Sequence, residues 1–172
     1  MSKTSWNEEQ LFSSDRQDWA TPQALFDALN EEFFFVMDAA ASPNNAKSAL
    51  YITSEQDSLK ESWGSVIVET GCDPTGAAVW LNPPYGRDIG KWIQKAYEES
   101  LNGLVVVVLT FCRSDTKWWH RWAMKAAEVR LIEGRIRFEG APASAPAPSC
   151  LLIFDESRRL PRFTTTNTLP RK

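Results

Sequence analysis

Asn82-Pro83-Pro84-Tyr85 is where this sequence gathers residue types that can do chemistry. The four residues follow the apolar run "AAVWL" (77–81). A residue before proline is pushed into an extended conformation. Each proline fixes φ and removes an N–H donor. The outcome is a stiff loop that offers carbonyl acceptors and no competing donors. The Asn82 amide adds an acceptor oxygen, so that Asn82 and the Pro83 carbonyl together can hold a planar –NH2 group. The Tyr85 ring can stack on the flat system that bears this amine. Such a grip suits methyl transfer to a ring-conjugated amine, whose nitrogen lone pair is delocalised. Two acceptors on its hydrogens favour a pyramidal nitrogen with the lone pair aimed outward. Positioning and polarisation then supply most of the catalysis, and the first step needs no strong base. The competing reading is a sharp strand-to-helix turn, because Pro-Pro beside Asn is good turn chemistry. The adjacent "GRDIGK" (86–91) imitates a phosphate loop, but it has one residue too few between its glycines and no Ser or Thr after the lysine.

The surrounding pattern predicts the elements that position this loop. "TPQALFDALNEEF" (21–33) reads as a helix, with Thr21 as N-cap, Pro22 at the first helical position and an apolar face of Leu25, Phe26 and Leu29. "FFFVMD" (33–38) suits a buried strand, "AAASPNNAK" (39–47) a loop and "SLKESW" (58–63) a helical turn. "SVIVET" (65–70) is strand-like, and "AAVWL" is a buried strand that ends at the proline loop. "RDIGKWIQKAYEESLNG" (87–103) is a helix with a stripe of Ile89, Trp92, Ile93, Ala96 and Tyr97, stopped by Asn102-Gly103. "LVVVVLT" (104–110) is the clearest strand. Ser114 or Asp115 is expected to cap a helix containing "TKWWHRWAMKAA" (116–127). "EVRLI" (128–132), "RIRFE" (135–139) and "SCLLIF" (149–154) read as strands, with a Pro/Ala loop (141–148) before the last.

Apolar strands alternating with helices, then strands alone, predict an α/β fold: a mainly parallel sheet with an antiparallel strand pair at the C-terminal end. Ligands of such sheets bind at the carboxyl ends of the strands, and Asp38, Asn82 and the residues before Arg113 mark three such ends. Residues 1–16 read as a flexible leader, 17–156 as a single domain and 157–172 as a basic, loosely ordered tail.

Composition narrows the class. The 172 residues suit one domain with a sizeable core. No apolar run approaches the roughly 18–20 residues of a membrane span, and the polar, acidic N-terminus has no signal core, so a cytoplasmic location is expected. Three scattered cysteines, Cys72, Cys112 and Cys150, read as reduced and mostly buried thiols, and a single histidine, His120, argues against a metal site. The net charge of −3 hides an asymmetry. Residues 1–112 hold 7 Lys/Arg and 16 Asp/Glu, whereas 113–172 hold 12 and 6. A basic C-terminal third suits an anionic partner such as DNA, or simply an uneven solvated surface.

The proline loop resembles the motif of amino-methyltransferases that use S-adenosylmethionine. The chain as a whole resembles the phage and prophage DNA N-6-adenine-methyltransferase (Dam) family. The matching stretches are "WATPQALFDALNEEF" (19–33), "MDAAASPNNAK" (37–47), "YITSEQDSL" (51–59) with Trp63, "VWLNPPYG" (79–86), "RSDTKWWH" (113–120), "EVRLIEGRIRF" (128–138) and "APAPSCLLIF" (145–154). The resemblance implies a Rossmann-like class I methyltransferase fold, S-adenosylmethionine as donor and adenine N6 in double-stranded DNA as acceptor. It implies a base flipped from the stack, held by Asn82 and the Pro83 carbonyl, with Pro84 stiffening the loop and Tyr85 stacking on the ring.

For the donor, the resemblance points to Thr21 and Pro22 at a helix N-terminus that suits a carboxylate, although an ordinary cap reads the same. It points to Asp38 and Ala39 at the end of the first strand, where "AAAS" replaces the glycine-rich sequence usual in related enzymes. Asn45 either assists there or caps its loop. Asp57 either meets the adenosine or caps a turn. Arg113 and Lys117 are candidates for phosphate contact, and Arg135 and Arg137 for the DNA side of the last strands. Arg121 falls in the same basic-aromatic stretch, Trp118 and Trp122 share a helical face that suits the core, and Arg158, Arg159 and Arg162 add sequence-independent charge. A monomer without metal in a phage- or prophage-bearing bacterial cell is expected. The rival readings are a methyltransferase for another amine, on a protein glutamine or an RNA base, and a DNA-binding relative that has lost catalysis.

Overall fold

The computed structural model describes residues 19–158 and 162–166. The leader (1–16), Arg159 and part of the C-terminal tail lie outside the described residues. Helix α1 (Gln23–Phe33) leads to β1 (Met37–Asp38) and β2 (Leu50–Tyr51). A short α2 (Trp63–Val68) precedes β3 (Ala78–Leu81), and α3 (Ile89–Leu101) precedes β4 (Val105–Phe111). After α4 (Lys117–Arg121) and a 3-10 turn (Ala123–Lys125) come β5 (Glu128–Ile132), β6 (Ser149–Phe154) and β7 (Arg162–Thr166).

The strands form one sheet in the order β2-β1-β3-β4-β6-β5-β7. Neighbours run parallel except β6, which is antiparallel to both β4 and β5. The expected α/β architecture and antiparallel pair are therefore present. Alternate residues of β3, β4 and β6 feed two cores. Val79, Leu81, Val106, Val108, Leu152 and Phe154 face a layer containing Trp63, Ile67, Ile93, Ala96 and Trp119. Trp80, Val107, Leu109, Leu151 and Ile153 face Leu25, Phe26 and Leu29 of α1, with Ile136 and Phe138. Burial on both faces is why these strands read as unbroken apolar runs.

Several expectations fail for identifiable reasons. Residues 65–68 are helical, not extended: the Ser62 side chain accepts the Ser65 N–H, and Trp63 and Ile67, four residues apart, share the buried face. Packing overrides the β preference of "VIV". The strand predicted at 33–38 shrinks to Met37–Asp38, because α1 runs through Phe33 and ends at Phe34 in a left-handed conformation (φ 55°). Helix α1 begins one residue late, with Pro22 rather than Thr21 at its N-cap. Thr116, not Ser114 or Asp115, precedes α4, and Trp119 is the deeply buried tryptophan, while Trp118 and Trp122 are half-buried against the core. Residues 135–138 form no ladder, although Ile136 and Phe138 are buried and Arg135 and Arg137 exposed. Both edges of β6 are taken by β4 and β5, and the outer edge of β5 by β7, so this alternating segment has no strand edge to join there. Arg162–Thr166, within the stretch read as a tail, supply that outer strand. Of the cysteines only Cys150 is fully buried, and Cys72 is exposed.

Candidate active site

Strand β1 leaves the sheet to form β2 on one side, and the chain returns on the other side as β3. A crevice opens where strand order reverses in this way. Here it is a cavity of about 370 Å³ whose walls include Asp38 at the end of β1 and Asn82 and Pro84 at the end of β3. Small-molecule sites fall in the range of about 300–1,000 Å³. Thr21, Asn45 and Asp57 reach the same cavity, so residues far apart in sequence converge on it. Pro22 and Ala39 do not line it. Ala39 is fully buried with its N–H donating to the Trp80 carbonyl, and Pro22 accepts the Leu25 and Phe26 N–H groups at the start of α1.

The polar groups of the cavity each have a local task. Asp38 is 3% exposed, and its two oxygens accept the N–H groups of Ala40 (3.3 Å) and Lys47 (3.1 Å). The carboxylate thus closes the loop 39–47, in place of a glycine-rich turn. Burial pushes its pKa up to about 6, against the pull of those two N–H groups and the Lys47 charge. Asn45 Oδ1 accepts from the N–H (2.7 Å) and Oγ (3.0 Å) of Ser42, so it caps its loop while lining the cavity. Asp57 sits in a left-handed conformation (φ 56°), uncommon outside glycine. Its ion pair with Lys60 (2.5 Å) holds its carboxyl below the usual range.

The N-terminus of α1, expected to receive a ligand carboxylate, is already engaged by the protein. The Gln23 N–H donates to Glu139 Oε1 at 2.9 Å. Lys47 completes the cluster: its ammonium donates to Gln23 Oε1 at 2.9 Å and lies 3.4 Å from Glu139. The Lys47 side chain is only 7% exposed and lines the cavity. No spacing rule singled it out, because its partners lie 24 and 92 residues away in sequence. The aromatic walls Trp19, Trp80 and Trp92 were likewise missed. The indole N–H of Trp80 is buried and has no acceptor among the described residues. Two carboxylates, a sheltered ammonium, an orphaned donor and aromatic walls suit a small ligand that carries both charges and a flat ring.

The proline loop meets the cavity through Asn82 and Pro84, whereas Pro83 and Tyr85 do not line it. Asn82 Nδ2 donates to the Trp19 carbonyl at 2.6 Å, and Asn82 Oδ1 accepts from the Tyr85 hydroxyl at 3.1 Å. The Tyr85 ring stacks on Phe111 (centroids 4.4 Å apart) and meets Phe138 edge-on at 5.7 Å. Burial, and then the neighbouring Cys150 thiol, raise the phenol well above its ordinary pKa, so it stays a hydrogen-bond donor. The Pro83 carbonyl accepts no hydrogen bond among the described residues.

Residues 8–168 match the model of a family described as DNA N-6-adenine-methyltransferase (Dam). The chain belongs to this family. It is 30% identical over 128 residues to the DNA N-6-adenine-methyltransferase of Haemophilus phage HP1 (strain HP1c1), covering 73% of this chain and 68% of that protein. It is 31% identical over 117 residues to the DNA N-6-adenine-methyltransferase of Escherichia phage T1, covering 67% of this chain and 44% of the phage protein.

The basic residues of this Dam-family chain divide by environment. Arg135 and Arg137 are exposed on the extended segment whose Phe138 touches Tyr85. Arg113, at the end of β4, pairs with Asp115 at 3.3 Å, and Lys117 is exposed at the start of α4. Arg121 lies over Trp122, and His120 is exposed. Arg158 is committed to Glu128 (3.4 Å) and Asp155 (3.0 Å), a network that also joins Arg130 and Thr164 and fastens β7 to β5. Among the described residues no group of acidic, His or Cys side chains is arranged for a metal, and no helix is long and apolar enough to cross a membrane.

Proposed function

We propose that this Dam-family enzyme transfers a methyl group from S-adenosylmethionine to N6 of an adenine flipped out of double-stranded DNA, in the cytoplasm of a phage- or prophage-bearing bacterial cell. The observation that carries the reading is the convergence of Asp38 and Asn82 on one cavity at the strand-order reversal. The methyl donor supplies an electrophilic methyl on a sulfonium. Asp38 would complement the donor's positive charge, Lys47 would offer a cation for its carboxylate, and Asp57, Thr21 and Asn45 would form the rest of the wall that holds it. Asn82 Oδ1 and the Pro83 carbonyl accept the two amine hydrogens and localise the nitrogen lone pair. Pro84 holds the loop rigid, and Tyr85, backed by Phe111, stacks on the base. Arg113, Lys117, Arg135 and Arg137 meet the phosphates. The catalytic domain runs from residue 17 through strand β7 (Arg162–Thr166), past the boundary at 156 expected from the sequence, and the enzyme acts as a monomer without a metal.

Transfer of tritium from labelled S-adenosylmethionine to unmethylated duplex DNA tests this, with N6-methyladenine identified by mass spectrometry. Label in N6-methyladenine is the expected result. Folded protein that binds the donor but labels only RNA or protein overturns the DNA assignment.

Two further outcomes follow from the geometry. Above pH about 6 Asp38 is ionised in the free protein and complements the donor's positive charge; below it the carboxyl is neutral. If the bound donor lowers this pKa by about one unit, calorimetry records roughly fivefold weaker binding at pH 5 than at pH 7.5. Asp38→Asn removes that pH dependence. Arg135→Ala and Arg137→Ala each lower the slope of log K against log salt for duplex DNA by about 0.9, read by fluorescence anisotropy, and weaken all sequences alike.

A further inference from the structure

The Asn82 amide has two ends with different duties, and one of them is fixed by a backbone group from far away in sequence. Its Nδ2 lies 2.6 Å from the carbonyl oxygen of Trp19. A backbone carbonyl can only accept, so the –NH2 end of the amide must face it. The opposite orientation sets two acceptors against each other and turns a donor toward the incoming amine. The carbonyl is itself held in place. Ala20 bridges to Glu139, whose N–H donates to the Ala20 carbonyl at 2.9 Å. Thr21 is 2% exposed, and the Trp19 ring packs against the core that includes Phe138.

We infer that the Trp19 carbonyl is a positioning group that sets the Asn82 amide in the one orientation able to accept the substrate amine, and that this site therefore demands an amide at position 82 and rejects a carboxylate. The inference rests on the reading of Asn82 as the amine acceptor. A carboxylate in this place meets the Trp19 carbonyl as a second acceptor, and it relieves the clash by taking up a proton and donating it to that carbonyl. Other titratable groups bear on the position: the Tyr85 hydroxyl bonds to it from the same loop, and Asp38, Lys47 and Asp57 line the same cavity. The test must therefore register the Trp19 carbonyl itself.

In donor-free Asn82→Asp protein, NMR follows the new carboxyl carbon and the Trp19 carbonyl carbon as pH is varied. The expected result is a carboxyl pKa raised by one to two units over the ordinary value of about 3.9, with the Trp19 carbonyl shift moving through the same midpoint. An ordinary carboxyl pKa overturns the inference. So does a raised one that leaves the Trp19 carbonyl unmoved. Methylation of DNA by the wild type is measured separately. Its absence sinks the functional reading while the titration still decides whether the carbonyl orients position 82.

Discussion

Asn82→Ala lowers kcat/KM for DNA methylation by about three orders of magnitude while weakening donor binding less than tenfold. The asymmetry follows from what the side chain touches. Asn82 forms part of the cavity wall, but its acceptor oxygen is directed by two other groups, the Trp19 carbonyl and the Tyr85 hydroxyl. Losing a single preorganised group that stabilises developing charge costs on the order of 10²–10³ in rate. Here the loss also frees the amine to stay planar, with its lone pair delocalised. Single-turnover methylation measures the chemical step, and calorimetry with the donor measures the binding. An equal loss in both excludes Asn82 as the group that prepares the amine.

Tyr85→Ala produces the second large effect, on two observables at once. Stacking of a base on an aromatic ring contributes roughly 1–3 kcal/mol, so methylation falls by about one to two orders of magnitude, chiefly through KM for DNA. The same ring fills the space between Phe111 and Phe138. Its removal leaves a void, and truncations of this size cost about 3–5 kcal/mol when the site cannot collapse. Tyr85 is only half-buried, so the lower end is expected, seen as a drop in the thermal midpoint. Tyr85→Phe separates the two roles of the residue. It keeps the stack on Phe111 and loses the hydroxyl bond to Asn82, worth about 1 kcal/mol. Activity of the phenylalanine variant stays within about fivefold of the wild type. A phenylalanine variant as poor as the alanine one assigns the function to the hydroxyl instead of the ring.

The parts of the molecule that were legible in sequence are those where one local signal decides the outcome. The seven-residue strand β4 is apolar except for Thr110, because helices cover both its faces. Helix α3 shows its stripe at helical spacing and ends at Asn102 before Gly103, whose φ of 96° suits glycine. The proline loop announced its rigidity by composition alone. What stayed hidden depends on partners distant in sequence. The helical state of 65–68 is decided by Trp63 and Ile67 docking on the sheet. The unpaired state of 135–138 is decided by which strand edges are already filled. In the site, Asp38 was legible as the end of a strand but not as the clasp of a loop. Lys47 and the Trp19 carbonyl were illegible. The first is defined by Gln23 and Glu139, and the second is a backbone atom with no side-chain signature, 63 residues from the amide it holds.

Residues 19–21 belong to three places at once. They form a wall of the cavity, they hold Asn82, and through Ala20 they join the segment that carries Arg135 and Arg137. Any ligand that changes the freedom of these three residues changes all three places, and thermodynamics makes such coupling reciprocal. Whatever factor a bound donor multiplies the affinity for DNA by, bound DNA multiplies the affinity for the donor by the same factor. If a donor and a base both act on residues 19–21, each site reports the other's occupancy through this one short segment.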